Sequence, residues 1–500
     1  MNTKLNRSLL ETLRTRNGVV TVPDASILDL PERAVQFGTG ALLRGFIDDF
    51  VHRANVAGTF GGRIVAVAST GSPRDRALTD QDGLYTLVVE GIAKGQRVQE
   101  ARVISSISRA LSASDNWAEV LAVAKSPDLQ YVFSNTTEVG IVPDAESGRD
   151  DSPPKSFPAK LTRFLYERGS AFNYDVSRGV TVIPCELIED NGAKLRAIVL
   201  DIAAHWNLGA EFSGWIAAAV PFCNTLVDRI VPGSPRADDV ERLRTLAGYD
   251  DAMLTCCEPY CLFAIEGDEA LRSRMAWTSV DEGIVVATDI APYRKRKVHL
   301  LNGAHSLIAP IALELGCETV LDAMNTPTIA RFARNAMLDE IAPTLNVEGA
   351  AEFAEAVLDR FRNPFIRHAL IDITLQATMK IRVRVVPSIE RAVARTGTVP
   401  ESLAFGFAAF LLFMQGRLQS DRRSAGLSVP VDDQASRLHS SWLAIPDDTR
   451  ELVRTICSDT VLWGTDLNAV GGFTDAVAGH LQRMRSAGMS AALEHLLQTT

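Results

Sequence analysis

Short apolar runs alternate with helically spaced apolar positions through the first half of the chain. Ala34-Val-Gln-Phe37 reads as a strand ending at Gly38, and Leu42 to Asn55 then carries apolar residues at helical spacing. Ile64 to Ala68, Tyr131-Val-Phe133 and Val180 to Pro184 read as further strands, the last followed by a helix from Gly192 to Trp206. Strands alternating with helices predict a parallel, doubly wound sheet. Beyond about residue 285 the alternation stops. Leu300 to Leu315, Thr328 to Met337, Ala350 to Phe361, Leu403 to Met414 and Gly479 to Leu497 all read as helices. The expected fold class is α/β: a doubly wound sheet domain over residues 1–285 and a mainly α-helical domain over 286–500. Two polar segments, Val142 to Phe157 and Ser420 to Asp433, read as long loops.

Composition narrows the choice of partner. Five hundred residues exceed what one core serves, which supports the two-domain reading. A net charge of -10 argues against a general nucleic-acid binder, whose footprint is a basic stripe. The longest apolar run, Leu403 to Met414, is too short to span a bilayer. Met1 to Thr15 lacks the apolar core of a targeting signal, so neither nucleic acid nor membrane is expected as a partner and the expected compartment is cytoplasmic. The seven cysteines are an odd number, and Cys256, Cys257 and Cys261 lack the paired spacing of a structural zinc site. They read as reduced core thiols.

One stretch carries candidate chemistry: Lys297-Val-His-Leu-Leu-Asn302-Gly-Ala-His305. At 3.6 residues per turn, three positions turn about 300° and five about 500°, so Asn302 and His305 share a helix face. Lys297 would then reach that face only from just before the helix or at its first turn. An amine beside an amide and an imidazole suits proton removal from a hydroxyl, with the amine as base and the other two steadying the oxygen. On spacing alone, a solvated basic helix start leading into a buried helix is as good a reading. Gly38-Thr-Gly40 directly follows the first strand and opens a helix, where backbone N–H groups bind phosphate. Leu43 stands where a third glycine would, so alone the motif is also compatible with a tight turn that binds nothing.

The separated motifs together resemble a known family. Lys-x4-Asn-x2-His, preceded by Thr288-Asp289 and Pro292-Tyr293, with Gly38-x-Gly40-x3-Arg44 upstream, resembles the long-chain mannitol dehydrogenase family over about residues 33 to 387. The resemblance implies a Rossmann-like nucleotide domain with Gly38, Gly40 and Arg44 at the cofactor, Ser69 at the end of the second strand, and Asn135, Thr137 and Glu138 beside the nicotinamide. Asn135-Thr-Thr-Glu138 is otherwise an ordinary capped turn. NAD is the first choice of cofactor. NADP stays open, because Ala68-Ser-Thr-Gly-Ser-Pro-Arg74 offers hydroxyls and an arginine where NAD enzymes place an acid. The resemblance also implies a metal-independent reaction: Lys297 as general acid/base, Asn302 as donor to the reacting oxygen, His305 orienting substrate hydroxyls.

Substrate contacts follow from the same resemblance. Asp228 of Val227-Asp228-Arg229 lines the pocket, unless it is a surface ion pair, and Lys380 is a further contact. Arg367, in the matching Asn363-Pro-Phe-Ile-Arg367-His368, is better read as a structural ion pair. Three positions depart from polyol-oxidising members: Leu187 replaces an asparagine, Arg294 a glutamate and Asp372 an arginine. Asn191 either replaces the lost amide at the substrate or is the left-handed residue of an Asn-Gly turn. Arg294-Lys295-Arg296 either lowers the Lys297 pKa and attracts a substrate carboxylate or is a solvated cluster. Pro184-Cys-Glu-Leu-Ile188 and Gln81-Asp-Gly83-Leu-Tyr85-Thr resemble the tagaturonate reductase (altronate oxidoreductase) branch. That branch implies a small sugar acid as substrate. Fructuronate, a neutral polyol such as mannitol, or a sensor without turnover are the alternatives. The oligomeric state is left open, a monomer included.

Overall fold

A computed structural model of the chain describes residues 4–14, 19–69, 73–136, 140–232, 235 and 237–499. The chain divides into two compact units, Met1–Gly91 with Arg97–Ile290, and Ile92–Gln96 with Ala291–Thr500.

The first unit is built on five strands: β1 (Glu32–Phe37), β2 (Arg63–Ala68), β3 (Ile107–Ser112), β4 (Tyr131–Ser134) and β5 (Thr181–Pro184). They lie in the order β3-β2-β1-β4-β5, and every adjacent pair is parallel. This is the doubly wound order in which a nucleotide binds where the winding reverses, beyond the carboxyl end of β1. Successive side chains point to opposite faces, and each face is covered. Val35, Phe37, Val65, Val132 and Val182 pack with Val120, Phe164, Leu195 and Val199. On the other face Ala34, Ile64, Phe133 and Ile183 pack with Phe46, Ile47 and Phe50. Burial on both faces explains why these strands read as continuous apolar runs. The helix expected over Leu42 to Asn55 is two, Ala41–Arg44 and Ile47–Val56, parted at Gly45-Phe46.

Two smaller sheets complete this unit. Thr225–Asp228 runs antiparallel to Leu262–Glu266, which pairs in parallel with Ile284–Ala287. Val20–Thr21, Gln96–Ile104, Tyr85–Ala93 and Thr255–Cys257 form the other. All seven cysteines are unpaired thiols, and burial raises the pKa of Cys257 and Cys261, so neither is poised as a nucleophile.

The second unit is helical. At its centre Glu401–Phe413 is apolar on all sides and buries Leu403 through Leu411, which is why it carries no amphipathic pattern. It packs against Gly303–Glu314 and Phe473–Ala487. Its N-terminal N–H groups of Ser402 and Leu403 donate to the Glu340 carboxylate at 2.7 and 2.9 Å. Gly479 to Leu497 is not one helix: Phe473–Ala487 ends at Gly488, at φ +85°, before Met489–Thr499 begins. The segment Ser420 to Asp433 is a loop only in its second half, since Arg417–Ser424 is helical. No helix among the described residues is long and apolar enough to cross a membrane.

Candidate active site

In the second unit one continuous helical run carries the Lys-x4-Asn-x2-His motif. Ala291–Arg296 is α-helical, Lys297–Asn302 is a π-helix, and Gly303–Glu314 is α-helical again. The wide turn is visible in the Gly303 N–H, which reaches the Val298 carbonyl five residues back. Lys297 therefore lies neither before the helix nor in its first turn, the two places α-helical spacing allowed. A backbone wound for five-residue hydrogen bonds stacks residues five apart, so Lys297 and Asn302 come onto one side from within the helix. Asn302 and His305 follow in ordinary α spacing. Single π turns are rare and cluster at functional sites.

Packing holds the turn in place. His299 Nδ1 lies 2.8 Å from the Arg384 carbonyl and 3.3 Å from Ser388 Oγ, and burial depresses the His299 pKa to about 4. The neutral ring thus donates Nδ1–H to one of the last carbonyls of helix Ala377–Arg384. Lys295 Nζ donates to the Leu345 carbonyl at 2.7 Å, and Arg296 donates to the Glu348 carbonyl while lying over Tyr293 and Phe353. Two of the three cations before Lys297 are thus spent on packing. Arg294 is half-buried on the same helix.

His305 stacks on Phe361, with ring centres 4.2 Å apart, and meets His368 edge-on at 4.9 Å. Its Nε2 is buried and has no hydrogen-bond partner among the described residues. Burial, then the charges of His368, Arg360, Arg384 and Lys380, hold its pKa well below the ordinary histidine value. It is neutral at neutral pH, with a ring nitrogen left to bind something else.

Lys380 and Arg384 are half-buried, one turn apart on one helix. Lys380 Nζ donates to the Ile373 carbonyl at 2.9 Å, and burial and Arg384 lower its pKa. Arg384 Nη1 reaches Ser306 Oγ at 3.3 Å and the Asn302 carbonyl at 3.5 Å. Burial brings the Arg384 pKa down to about 10. Among the described residues neither cation has a carboxylate partner. Arg384 was not anticipated from sequence, although a like-charged pair four apart on a helix is an unfavourable arrangement that calls for a reason. Arg367 makes only an exposed 3.5 Å pair with Glu318, as its structural reading expected.

The glycine turn of the first unit fits a dinucleotide. Gly38, at φ +129°, lies so close to β4's end that a Cβ there would stand 2.7 Å from the Asn135 carbonyl oxygen. Only glycine permits that approach. Gly40 is the opposite case: exposed, with nothing within 4 Å of where its Cβ would be. That open face at a helix start is the room a pyrophosphate needs. Asn135 Nδ2 donates to the Cys185 carbonyl at 2.8 Å, tying the ends of β4 and β5 together. The buried Glu186 accepts from Ser134 Oγ and from the Thr136 N–H, both at 3.0 Å. Ser69 is exposed at the end of β2, while Thr137 and Glu138 lie outside the described residues.

Three expectations need correction. Arg44 does not face outward toward a cofactor. It is buried, its Nε donates to Thr255 Oγ1 at 2.9 Å and its Nη1 to the Thr39 carbonyl, so it buttresses the turn from behind. Asn191 is neither a substrate donor nor a left-handed turn residue. It is fully buried; its Nδ2 faces the Pro184 and Glu186 carbonyls and Thr225 Oγ1, and its Oδ1 accepts from the Gly192 and Thr225 N–H groups. The left-handed residue is Asp190, at φ +53°. Asp228 and Arg229 are no surface pair either: both are buried, and Arg229 bonds Asp49 at 3.1 Å.

Comparison with known proteins agrees with this division. Residues 32–279 match the mannitol dehydrogenase Rossmann domain model, and residues 289–485 match the mannitol dehydrogenase C-terminal domain model. The chain belongs to the mannitol dehydrogenase family. It is an oxidoreductase using a nicotinamide cofactor. Altronate oxidoreductase of Bacillus subtilis (strain 168) is 39% identical over 93% of this chain and 95% of its own length. Altronate oxidoreductase of Cronobacter sakazakii (strain ATCC BAA-894) is 41% identical over 93% of this chain and 97% of its own. Among solved structures, the Pseudomonas fluorescens mannitol 2-dehydrogenase, in ternary complex with NAD and D-mannitol, is 26% identical. It has a TM-score of 0.69, with all of both chains covered.

Proposed function

We propose that this mannitol dehydrogenase family member interconverts a keto sugar acid and its alcohol, with tagaturonate and altronate as the pair and NAD as the cofactor. The observation that carries the acidic substrate is the pair of half-buried cations, Lys380 and Arg384, with no carboxylate partner among the described residues, beside the turn that bears Asn302 and His305. Desolvated, unneutralised positive charge is costly to keep, and it suits a substrate that brings a carboxylate. The relatives named altronate oxidoreductase, similar along nearly their whole length, support the same substrate class.

The residues divide the work as follows. Lys297 takes the hydroxyl proton during oxidation and returns it during reduction. Asn302 donates its amide N–H to the oxygen as negative charge grows there. His305, held neutral against Phe361, offers its unpartnered Nε2 to a neighbouring substrate hydroxyl. When bound, the nicotinamide supplies or accepts the hydride. Gly38 and Gly40 leave room for the cofactor's pyrophosphate, and Arg44, Asn135 and Glu186 keep the surrounding strand ends in place. Asp228 and Arg294 remain substrate contacts in this account.

Initial rates with tagaturonate, fructuronate and fructose, each with NADH and with NADPH, test the assignment. Tagaturonate with NADH is expected to be fastest. Preference for fructose would overturn the acidic substrate. NADH binding without turnover of any of the three would favour a sensor that keeps the fold and lacks the reaction.

A further inference from the structure

The carboxylate of the proposed substrate needs a specific anchor, and the helical unit contains one good candidate. Arg384 ends helix Ala377–Arg384, and the neutral His299 ring fixes its backbone carbonyl to the π turn at 2.8 Å. The guanidinium is therefore positioned by the same segment that carries Lys297 and Asn302. Only its Nη1 is engaged, in two long contacts of 3.3 and 3.5 Å to Ser306 Oγ and the Asn302 carbonyl. Both contacts lie on the catalytic helix within one turn of Asn302. The remaining guanidinium N–H groups find no acceptor among the described residues, yet the side chain is half-buried.

Arg296 and Arg391 of the same unit also leave a buried Nε without a partner among the described residues, but each guanidinium is otherwise held by its neighbours. Arg296 lies over two aromatic rings, and Arg391 donates to Ser388 Oγ at 3.1 Å. A planar fork with free parallel N–H groups matches a carboxylate bidentately, which a lysine cannot do. Lys380, one turn earlier, has given one donor to the Ile373 carbonyl and adds point charge rather than geometry.

We propose that Arg384 binds the substrate carboxylate through its free guanidinium edge and so makes the site selective for sugar acids over neutral sugars. This rests on the keto-acid reading above. Where it holds, a single N–H fork sets the distance between the carboxylate and the oxygen that Asn302 and Lys297 serve. The carbon that reacts is then chosen by its separation from the acid end of the substrate.

The test compares the wild-type enzyme with Arg384→Gln and Arg384→Lys. Steady-state reduction of tagaturonate and of fructose is measured, and D-gluconate binding to the cofactor-free protein is followed by calorimetry. Loss of a charge-assisted pair should raise the tagaturonate KM of Arg384→Gln by roughly 30-fold. Its fructose kinetics should change several-fold at most, and D-gluconate should bind correspondingly less tightly. Arg384→Lys should fall between, keeping charge without the fork. Equal losses on tagaturonate and fructose would overturn the proposal, because Arg384 would then serve only to hold Asn302. Should the wild type reduce no keto acid, the functional reading fails on its own. D-gluconate then decides for Arg384: weaker binding to Arg384→Gln upholds the anchor, and unchanged binding removes it.

Discussion

Two glycines two positions apart should fail in opposite ways. Gly38→Ala puts a methyl 2.7 Å from the Asn135 carbonyl oxygen and 3.0 Å from Leu43 Cδ1, at a φ of +129° that side chains rarely adopt. The backbone strain costs about 1–3 kcal/mol and the overlap about as much again, so a loss of about 2–6 kcal/mol of stability is expected. Gly40→Ala meets nothing within 4 Å, and its φ of -65° and ψ of 162° suit any residue. Its stability should stay within about 1 kcal/mol of wild type, or rise slightly through the stiffer unfolded chain. The added methyl fills space the pyrophosphate needs, so NADH should bind at least about tenfold more weakly, or about 1.4 kcal/mol. Urea unfolding followed by circular dichroism reads the first effect, and quenching of protein fluorescence by NADH reads the second. If Gly40→Ala bound NADH as the wild type does, the dinucleotide would not lie over this turn. If Gly38→Ala were as stable as the wild type, the backbone approach at the end of β4 would be looser than described.

Other perturbations separate structural from chemical roles. Asn191→Ala strips the Pro184 and Glu186 carbonyls and the Thr225 N–H of a buried partner, and should cost about 3–5 kcal/mol in urea unfolding. The tagaturonate KM of the folded fraction should change little; a KM rise without loss of stability would return Asn191 to the substrate. His299 has a folded pKa of about 4 against 6.5 unfolded, so the unfolded chain binds that proton more readily between those values. Stability from the neutral ring is complete above pH 6.5 and is lost as pH falls toward 4, by up to about 3 kcal/mol. His299→Asn keeps an N–H for the Arg384 carbonyl but cannot titrate, so its stability should gain on the wild type as pH falls from 7 to 4.5. A constant difference across that range would mean that His299 is not buried as a neutral ring.

How much of this could be read from residues alone follows from which interactions are local. The five central strands are apolar because both faces are covered, and that signal survives in one sequence. So does the glycine turn, whose two glycines follow directly on the apolar run. Where α spacing was assumed, the reading failed at Lys297, because nothing in Lys-Val-His-Leu-Leu-Asn announces a π turn. The wide turn is imposed by packing, including the bond from His299 to a carbonyl 85 residues away. Asn191 and Arg44 failed for a related reason: both side chains are spent on groups beyond their own helices, Asn191 on the Pro184 carbonyl and the Thr225 N–H and Arg44 on Thr255 Oγ1, which no local pattern reveals. Gly488 was overlooked as a breaker because apolar spacing runs on through it, though its left-handed φ ends the helix. Arg384 was passed over because one more cation in a basic helix carries no signal until the absence of acidic neighbours is visible.

The central claim is that Lys297 moves the proton while the glycine turn of the other unit holds the cofactor. Lys297→Ala, assayed for tagaturonate reduction alongside NADH affinity, tests it most directly. The account predicts a fall in kcat by a factor on the order of 10² or more with the NADH dissociation constant nearly unchanged. Wild-type turnover in that variant, or parallel loss of activity and cofactor binding, would contradict it.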